Sequence, residues 1–222
     1  MREKVLEWVE RHKIIAILRG IAPEDCGRVI KALYEGGIRL AEITYDPGRP
    51  ETWQETADTI GCIESEFAGK LLTGAGTVLT REQVEMTAAA GGRFIISPDV
   101  NCEVIALTKQ RGLVSIPGAA TASEAMAAHQ AGADYVKLFP AREMGPGYLK
   151  ALRAPLGQIR FMAVGGIGAE NVAAYLAAGA VGAGVGGSLT SPGLVQEGRF
   201  DEITRRARHL LEAAGLSKQP QD

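Results

Sequence analysis

Short apolar runs rich in β-branched residues alternate along this chain with longer stretches in which apolar positions recur every three or four residues. That alternation is the pattern of repeated βα units around a parallel sheet. Eight runs are readable, at 14–18, 40–44, 71–75, 94–96, 113–116, 135–138, 160–164 and 183–185. Helix starts lie between them at Pro23-Glu24-Asp25, Thr80-Arg81-Glu82-Gln83, Asn101-Cys102-Glu103, Thr121-Ala122-Ser123-Glu124 and Gly168-Ala169-Glu170-Asn171. Each joins a capping or turn residue to early acids, which favour a helix N-terminus. Glycines at 36–37, 91–92, 112, 132 and 179 follow the helical stretches, where a left-handed C-cap is easiest for glycine. The expected fold is a (β/α)8 barrel over residues 1–222 as one domain, with a short N-terminal helix and a flexible tail at 216–222. A doubly wound sheet is the second choice, but it would place a glycine-rich phosphate loop after the first strand, where this chain has only Arg19-Gly20-Ile21.

Composition narrows the function classes. With 222 residues, 46% hydrophobic and 23% charged, the chain has the profile of a folded, water-soluble protein. A net charge of -2 provides no field for holding nucleic acid or an anionic membrane. The odd set Cys26, Cys62 and Cys102 fits a reduced, cytoplasmic protein better than a disulfide framework. His12, His129 and His209 have no zinc-ligand spacing, and the charged N-terminus carries no secretory h-region. The uncharged stretch 171–196 is long enough to span a membrane, but its six glycines and Pro192 break it into helix, strand and loop.

In such a barrel, chemistry belongs at the C-terminal ends of the strands. Lys137 lies in the apolar run Tyr135-Val136-Lys137-Leu138-Phe139, where a desolvated amine should have a lowered pKa and act as a nucleophile. A long stem reaching water or an acid partner is the plainer reading. Glu42 occupies the analogous place in its strand, and from that strand alone both a proton-transfer role and a counter-ion role remain open. Arg19 ends the first run, and its fork suits a carboxylate or phosphate. The glycines of Val164-Gly165-Gly166-Ile167-Gly168 and of Gly184-Val185-Gly186-Gly187-Ser188 follow the seventh and eighth runs. There, backbone N–H groups and a short helix N-terminus can hold phosphate, though paired glycines also make plain tight turns. Thr77 and Pro98 sit where the third and fourth strands end and would alone pass as turn residues.

Taken together, these stretches resemble the class I aldolases that act on 2-keto-3-deoxy-6-phosphogluconate and 4-hydroxy-2-oxoglutarate. The likeness covers nearly the whole chain and rests on Ala16-Ile17-Leu18-Arg19, Glu42-Ile43-Thr44, Gly74-Ala75-Gly76-Thr77-Val78, Ile96-Ser97-Pro98, Ile116-Pro117-Gly118, Val136-Lys137-Leu138-Phe139-Pro140 and the two glycine loops. The Lys-Leu-Phe-Pro motif is the most specific of these. The resemblance implies that Lys137 is the Schiff-base lysine and Glu42 the proton-transfer carboxylate. It places Arg19, Thr77, Pro98 and Phe139 at the substrate end, and Gly165, Gly166, Gly186, Gly187 and Ser188 at the phosphate. It further implies a homotrimer that needs no metal or organic cofactor and takes a small keto acid, phosphorylated by the family pattern, as its partner.

The chain departs from that pattern at Asp46, where some members have arginine, at Asp99 after Pro98, and at Val164, where many have threonine. An acid beside the entrance would repel an anionic substrate unless Arg49 or Arg19 neutralises it. Cleavage to pyruvate and an aldehyde, glyceraldehyde 3-phosphate or glyoxylate, is the expected reaction. A phosphate-binding barrel isomerase or epimerase, in which Lys137 only stabilises an enolate, and a non-catalytic sugar-phosphate-binding protein are the alternatives.

Overall fold

In the computed structural model, which describes residues 2–216, the strands and helices alternate as expected and every strand pair is parallel. The strands are β1 (Ile14–Leu18), β2 (Leu40–Thr44), β3 (Leu72–Gly76), β4 (Phe94–Ile96), β5 (Val114–Ile116), β6 (Gly118–Ala119), β7 (Val136–Leu138), β8 (Phe161–Val164) and β9 (Gly182–Val185). They form one sheet in the order β5-β4-β3-β2-β1-β9-β8-β7-β6. The eight anticipated strands become nine because the fifth is cut at Pro117, which has no N–H to give to a ladder. Its first half pairs with β4 and its second with β7, so one bent segment brings the two edges of the sheet together into a barrel. The bend lies against the neighbouring loop: a Cβ on Gly118 would stand 2.4 Å from the Pro98 carbonyl oxygen. The third strand runs one residue later than expected, and the fifth to eighth shift at their starts by one residue.

The helices are α1 (Arg2–His12), α2 (Pro23–Glu35), α3 (Trp53–Glu66), α4 (Arg81–Ala89), α5 (Cys102–Gln110), α6 (Ala122–Gln130), α7 (Ala141–Arg153), α8 (Val172–Ala177), α9 (Pro192–Gln196) and α10 (Phe200–Ala213), with a 3-10 turn at Pro50–Thr52. Thr80 with Gln83, and Thr121 with Glu124, close reciprocal capping boxes, and Asn101 accepts from two N–H groups at the start of α5. Gly37, Gly91, Gly112, Gly132 and Gly179 all take φ between 73° and 99°, the left-handed ends read from their positions. The helix expected from Gly168 begins only at Val172, because the Asn171 side chain is engaged by the preceding loop. The stretch 171–196 divides into α8, β9 and α9, and no helix among the described residues is long and apolar enough to cross a membrane. Of the tail expected at 216–222, Leu216 packs on the core, and positions 217–222 lie outside the described residues.

Alternate strand residues sort into two packed sets. Ala41, Ile43, Ile95, Val136, Leu138, Phe161 and Ala163 face the surrounding helices. Ile15, Leu40, Leu72, Phe94, Val114, Tyr135 and Met162 fill the barrel, together with Val5 and Val9 of α1. α1 therefore plugs the N-terminal end, where the Tyr135 hydroxyl donates to the Leu6 carbonyl at 3.3 Å. Each fully buried aliphatic chain in this inner set contributes roughly 1.5–3 kcal/mol. The opposite end is open, and there the inner positions change character.

Candidate active site

Strand parity puts Glu42 and Lys137 on the inside. Glu42 continues the inner row from Leu40 on β2, and Lys137 the row from Tyr135 on β7. Glu42 stands opposite Ile17 and Gly74, and Lys137 opposite Gly118 and Met162. Room for them comes from the inner glycines. A Cβ on Gly76 would fall 1.5 Å from Glu42 Oε1, and one on Gly74 would fall 2.2 Å from the Phe94 ring. Nothing larger than glycine fits at 76 while Glu42 holds this position.

Both ionisable groups are desolvated: Glu42 is 1% exposed and Lys137 5%. Burial raises the Glu42 pKa, with the charges of Lys137 and Arg19 pulling the other way. Burial likewise lowers the Lys137 pKa; the Glu42 charge opposes that shift and the Arg19 charge adds to it. The two shifts agree in favouring a carboxylic acid beside a neutral amine. Glu42 Oε2 is buried without a hydrogen-bond partner among the described residues, an exception to the usual satisfaction of buried polar atoms. The Lys137 ammonium position lies 4.7 Å from the centroid of the Phe139 ring, which stands exposed at the rim.

Arg19 and Thr77 meet at the mouth, where Arg19 Nη2 donates to Thr77 Oγ1 at 2.7 Å. Thr77 adopts φ 56°, a conformation uncommon for a residue with a Cβ. Pro98 abuts Gly118, the strand partner of Lys137. Asp46 lies in an open cleft of about 610 Å³ that Arg19 and Arg49 also line. A hydrogen bond from Arg49 at 2.8 Å, joined by one from the Gly48 N–H, holds the Asp46 carboxyl below the ordinary range. Arg49 thus supplies the neutralising charge that an anionic substrate would need there.

The two glycine loops stand side by side. Gly165 and Gly166 take φ 96° and 70°, and the Phe139 ring sits where a Gly165 side chain would begin, 3.0 Å from that Cβ site. The Ser188 hydroxyl donates to the Ile167 carbonyl at 2.9 Å and so ties the loop after β9 to the loop after β8. Its hydroxyl being engaged, Ser188 offers its N–H instead. The N–H groups of Gly166, Gly187 and Ser188 make no hydrogen bond to other described residues. Asn171 braces the first loop, accepting from the Gly168 N–H at 3.0 Å and donating to the Gly166 carbonyl at 2.9 Å.

The model of a family described as KDPG and KHG aldolase matches residues 5–206. The chain belongs to this family. It is therefore an aldolase, a carbon–carbon lyase that works through a lysine Schiff base. A probable 2-dehydro-3-deoxy-6-phosphogalactonate aldolase of Rhizobium meliloti is 44% identical over 182 residues, 82% of this chain and 83% of that protein. The 2-dehydro-3-deoxy-6-phosphogalactonate aldolase of Escherichia coli is 39% identical over 85% of this chain and 89% of its own length. A 2-dehydro-3-deoxy-phosphogluconate aldolase of Treponema pallidum is 35% identical over 96% and 98%. Among solved structures, a native KDPGal structure superposes with a TM-score of 0.83 at 36% identity, covering 93% of this chain and 96% of that one. A designed porous cage made by fusing symmetric oligomeric domains gives 0.83 at 36% identity, over 93% of this chain and 73% of that one. A Legionella pneumophila KDPG aldolase with pyruvate captured as a covalent carbinolamine gives 0.81 at 28% identity, over 90% and 95%.

Every residue singled out from the sequence thus lies at the open end of the barrel or on its rim. Sequence reasoning placed Gly76 in a motif and Asn171 at a helix start but missed the clearance at the first and the loop brace at the second. Two glycines in an otherwise apolar strand, at 74 and 76, were the available sign for the first. For Asn171 no local sign existed, because its partners are loop backbone atoms.

Proposed function

We propose that the chain cleaves 2-dehydro-3-deoxy-6-phosphogalactonate to pyruvate and glyceraldehyde 3-phosphate, with Lys137 as the Schiff-base residue. The observation that carries the reading is the buried Glu42–Lys137 pair, held toward its uncharged forms under an open mouth. The neutral amine of Lys137 adds to the C2 keto carbon. Glu42 gives its proton to the departing hydroxyl of the carbinolamine, leaving an iminium beside a carboxylate. That carboxylate accepts the C4 hydroxyl proton while the C3–C4 bond breaks toward the iminium, releasing the aldehyde and leaving an enamine. Glu42 then protonates C3, and water frees pyruvate from Lys137.

Arg19, supported by Thr77, binds the substrate carboxylate, with Pro98 and Phe139 bounding the keto end. The free N–H groups of Gly166, Gly187 and Ser188 bind the phosphate, with Gly165 and Gly186 shaping those loops. The relatives support the galactonate over the gluconate epimer: those named for phosphogalactonate are 39% and 44% identical, and those named for phosphogluconate 30% to 36%. The apolar Val164 ends β8 on the inner row, so this position gives the C4 hydroxyl no hydrogen bond.

The fused oligomeric domains of the related cage support a symmetric oligomer, read here as a homotrimer. The free cysteines support a cytoplasmic location. Pyruvate with borohydride should add one reduced adduct per chain, on Lys137 by peptide mass spectrometry and absent in Lys137→Arg, and kcat/KM should be higher for the galactonate epimer. An adduct on Lys13 or Lys150 would reject the Lys137 assignment, and equal rates on both epimers the substrate.

A further inference from the structure

Arg142 has no part in the reaction as drawn, yet it is built into the loop beside it. Its backbone N–H donates to the Gly165 carbonyl at 3.0 Å. Its stem lies across Gly166: a Cβ there would meet Arg142 Cβ, Cδ and Cγ at 2.5, 2.6 and 3.1 Å. Gly166 must therefore be glycine for two reasons, its φ of 70° and the arginine stem covering it. The guanidinium begins one bond past a Cδ fixed against this glycine. Most of the other described arginines are held by a carboxylate, a carbonyl or Thr77, whereas Arg142 makes no ion pair or side-chain hydrogen bond with the described residues. Neither Glu143, next to it in α7, nor Glu170, beyond the loop, pairs with it.

We infer that Arg142 is a specificity residue of this chain, a side-chain cation at the edge of the glycine loops that selects the phosphorylated substrate over its unphosphorylated counterpart. The loops themselves offer neutral N–H donors, which bind an anion mainly through direction. A guanidinium whose stem lies beside Gly166 adds full charge and a two-pronged donor matched to phosphate oxygens. The inference rests on the phosphate reading proposed above.

The test compares wild type with Arg142→Gln and Arg142→Lys on the phosphorylated 2-keto-3-deoxy acid and on 4-hydroxy-2-oxoglutarate, at low and high salt. Arg142→Gln keeps much of the stem and loses the charge; its KM for the phosphorylated substrate should rise about 10-fold with kcat little changed. Its KM for 4-hydroxy-2-oxoglutarate should stay put, and Arg142→Lys should recover most of the loss. Added salt should weaken wild type on the phosphorylated substrate more than Arg142→Gln. Equal KM increases on both substrates would mean a structural role and overturn the inference, as would no increase on either. A wild type that does not prefer the phosphorylated substrate would overturn the phosphate reading, and this inference with it. A preference that survives intact in Arg142→Gln would sink only the role of Arg142.

Discussion

Asp134, just before β7 at the end of the barrel plugged by α1, and Glu42, near the open end of β2, are both almost shut off from solvent, at 7% and 1% exposure. Asp134 is surrounded by donors. Arg2 from α1 and Lys109 from α5 both reach Oδ1, the latter at 2.6 Å, and the Ser115 N–H donates to Oδ2 at 2.9 Å. Burial alone would raise its pKa, but these hydrogen bonds together outweigh burial and hold the carboxyl below its ordinary value. Glu42 has the burial without the donors, keeps a bare Oε2, and is pushed up. The same functional group is structural where its partners belong to the protein. Where the described residues supply no such partner, a buried carboxyl is a candidate for chemistry.

Glu42→Gln should break this contrast most visibly. Loss of a positioned acid–base group predicts a fall in kcat of about 10³, with trapping of pyruvate on Lys137 still detectable. Folding should move the other way. A carboxyl whose folded pKa is raised contributes stability below its unfolded value near 4.3, and that contribution is lost as pH rises through the folded pKa. The amide, neutral at every pH, should therefore unfold at a higher temperature than wild type at neutral pH. A lower melting temperature across the pH range, or an unchanged kcat, would contradict the pairing of function with poor solvation.

Gly76→Ala sharpens the same point without touching the carboxyl. With a Cβ 1.5 Å from Oε1, the acid must move, and a shift of about 1 Å can cost roughly 10² in kcat. Retained kcat would show that the position of Glu42 is not narrowly required.

The smallest effect on turnover belongs to Asp134→Asn, which should leave kcat within about a factor of two. It should remove about 2 kcal/mol of stability, the donors being partly exposed, and lower the melting temperature by roughly 5 °C. The depressed folded pKa of Asp134 contributes stability above its unfolded value near 3.9, lost as pH falls through the folded value. The difference between variant and wild type should accordingly narrow in acid, as read from melting curves between about pH 2 and pH 7. A difference that stays constant with pH would mean that Asp134 acts by packing alone.

The βα alternation, the capping boxes at Thr80 and Thr121 and the left-handed glycines were all legible in the sequence, because each depends on residues close together in the chain. So was Lys137 as a candidate nucleophile, since a lysine inside Val136-Lys137-Leu138 is out of place whatever surrounds it. The choice between proton transfer and counter-ion for Glu42 was not legible, and neither were the cut at Pro117, the brace at Asn171 and the clearance at Gly76. Period-two spacing shows which residues share a face. Both faces of a strand in a helix-covered barrel are apolar, however, so the pattern cannot tell which face is inside. Closing the sheet decides that. It brings Glu42 and Lys137 under one mouth from distant strands, sets the Gly76 position against one of them, and leaves Oε2 without a hydrogen-bond partner among the described residues. Sequence determined which elements form and which side chain stands out as the candidate nucleophile. The tertiary structure alone determined which charges are desolvated together, because desolvation depends on neighbours that the chain supplies only once it has closed on itself.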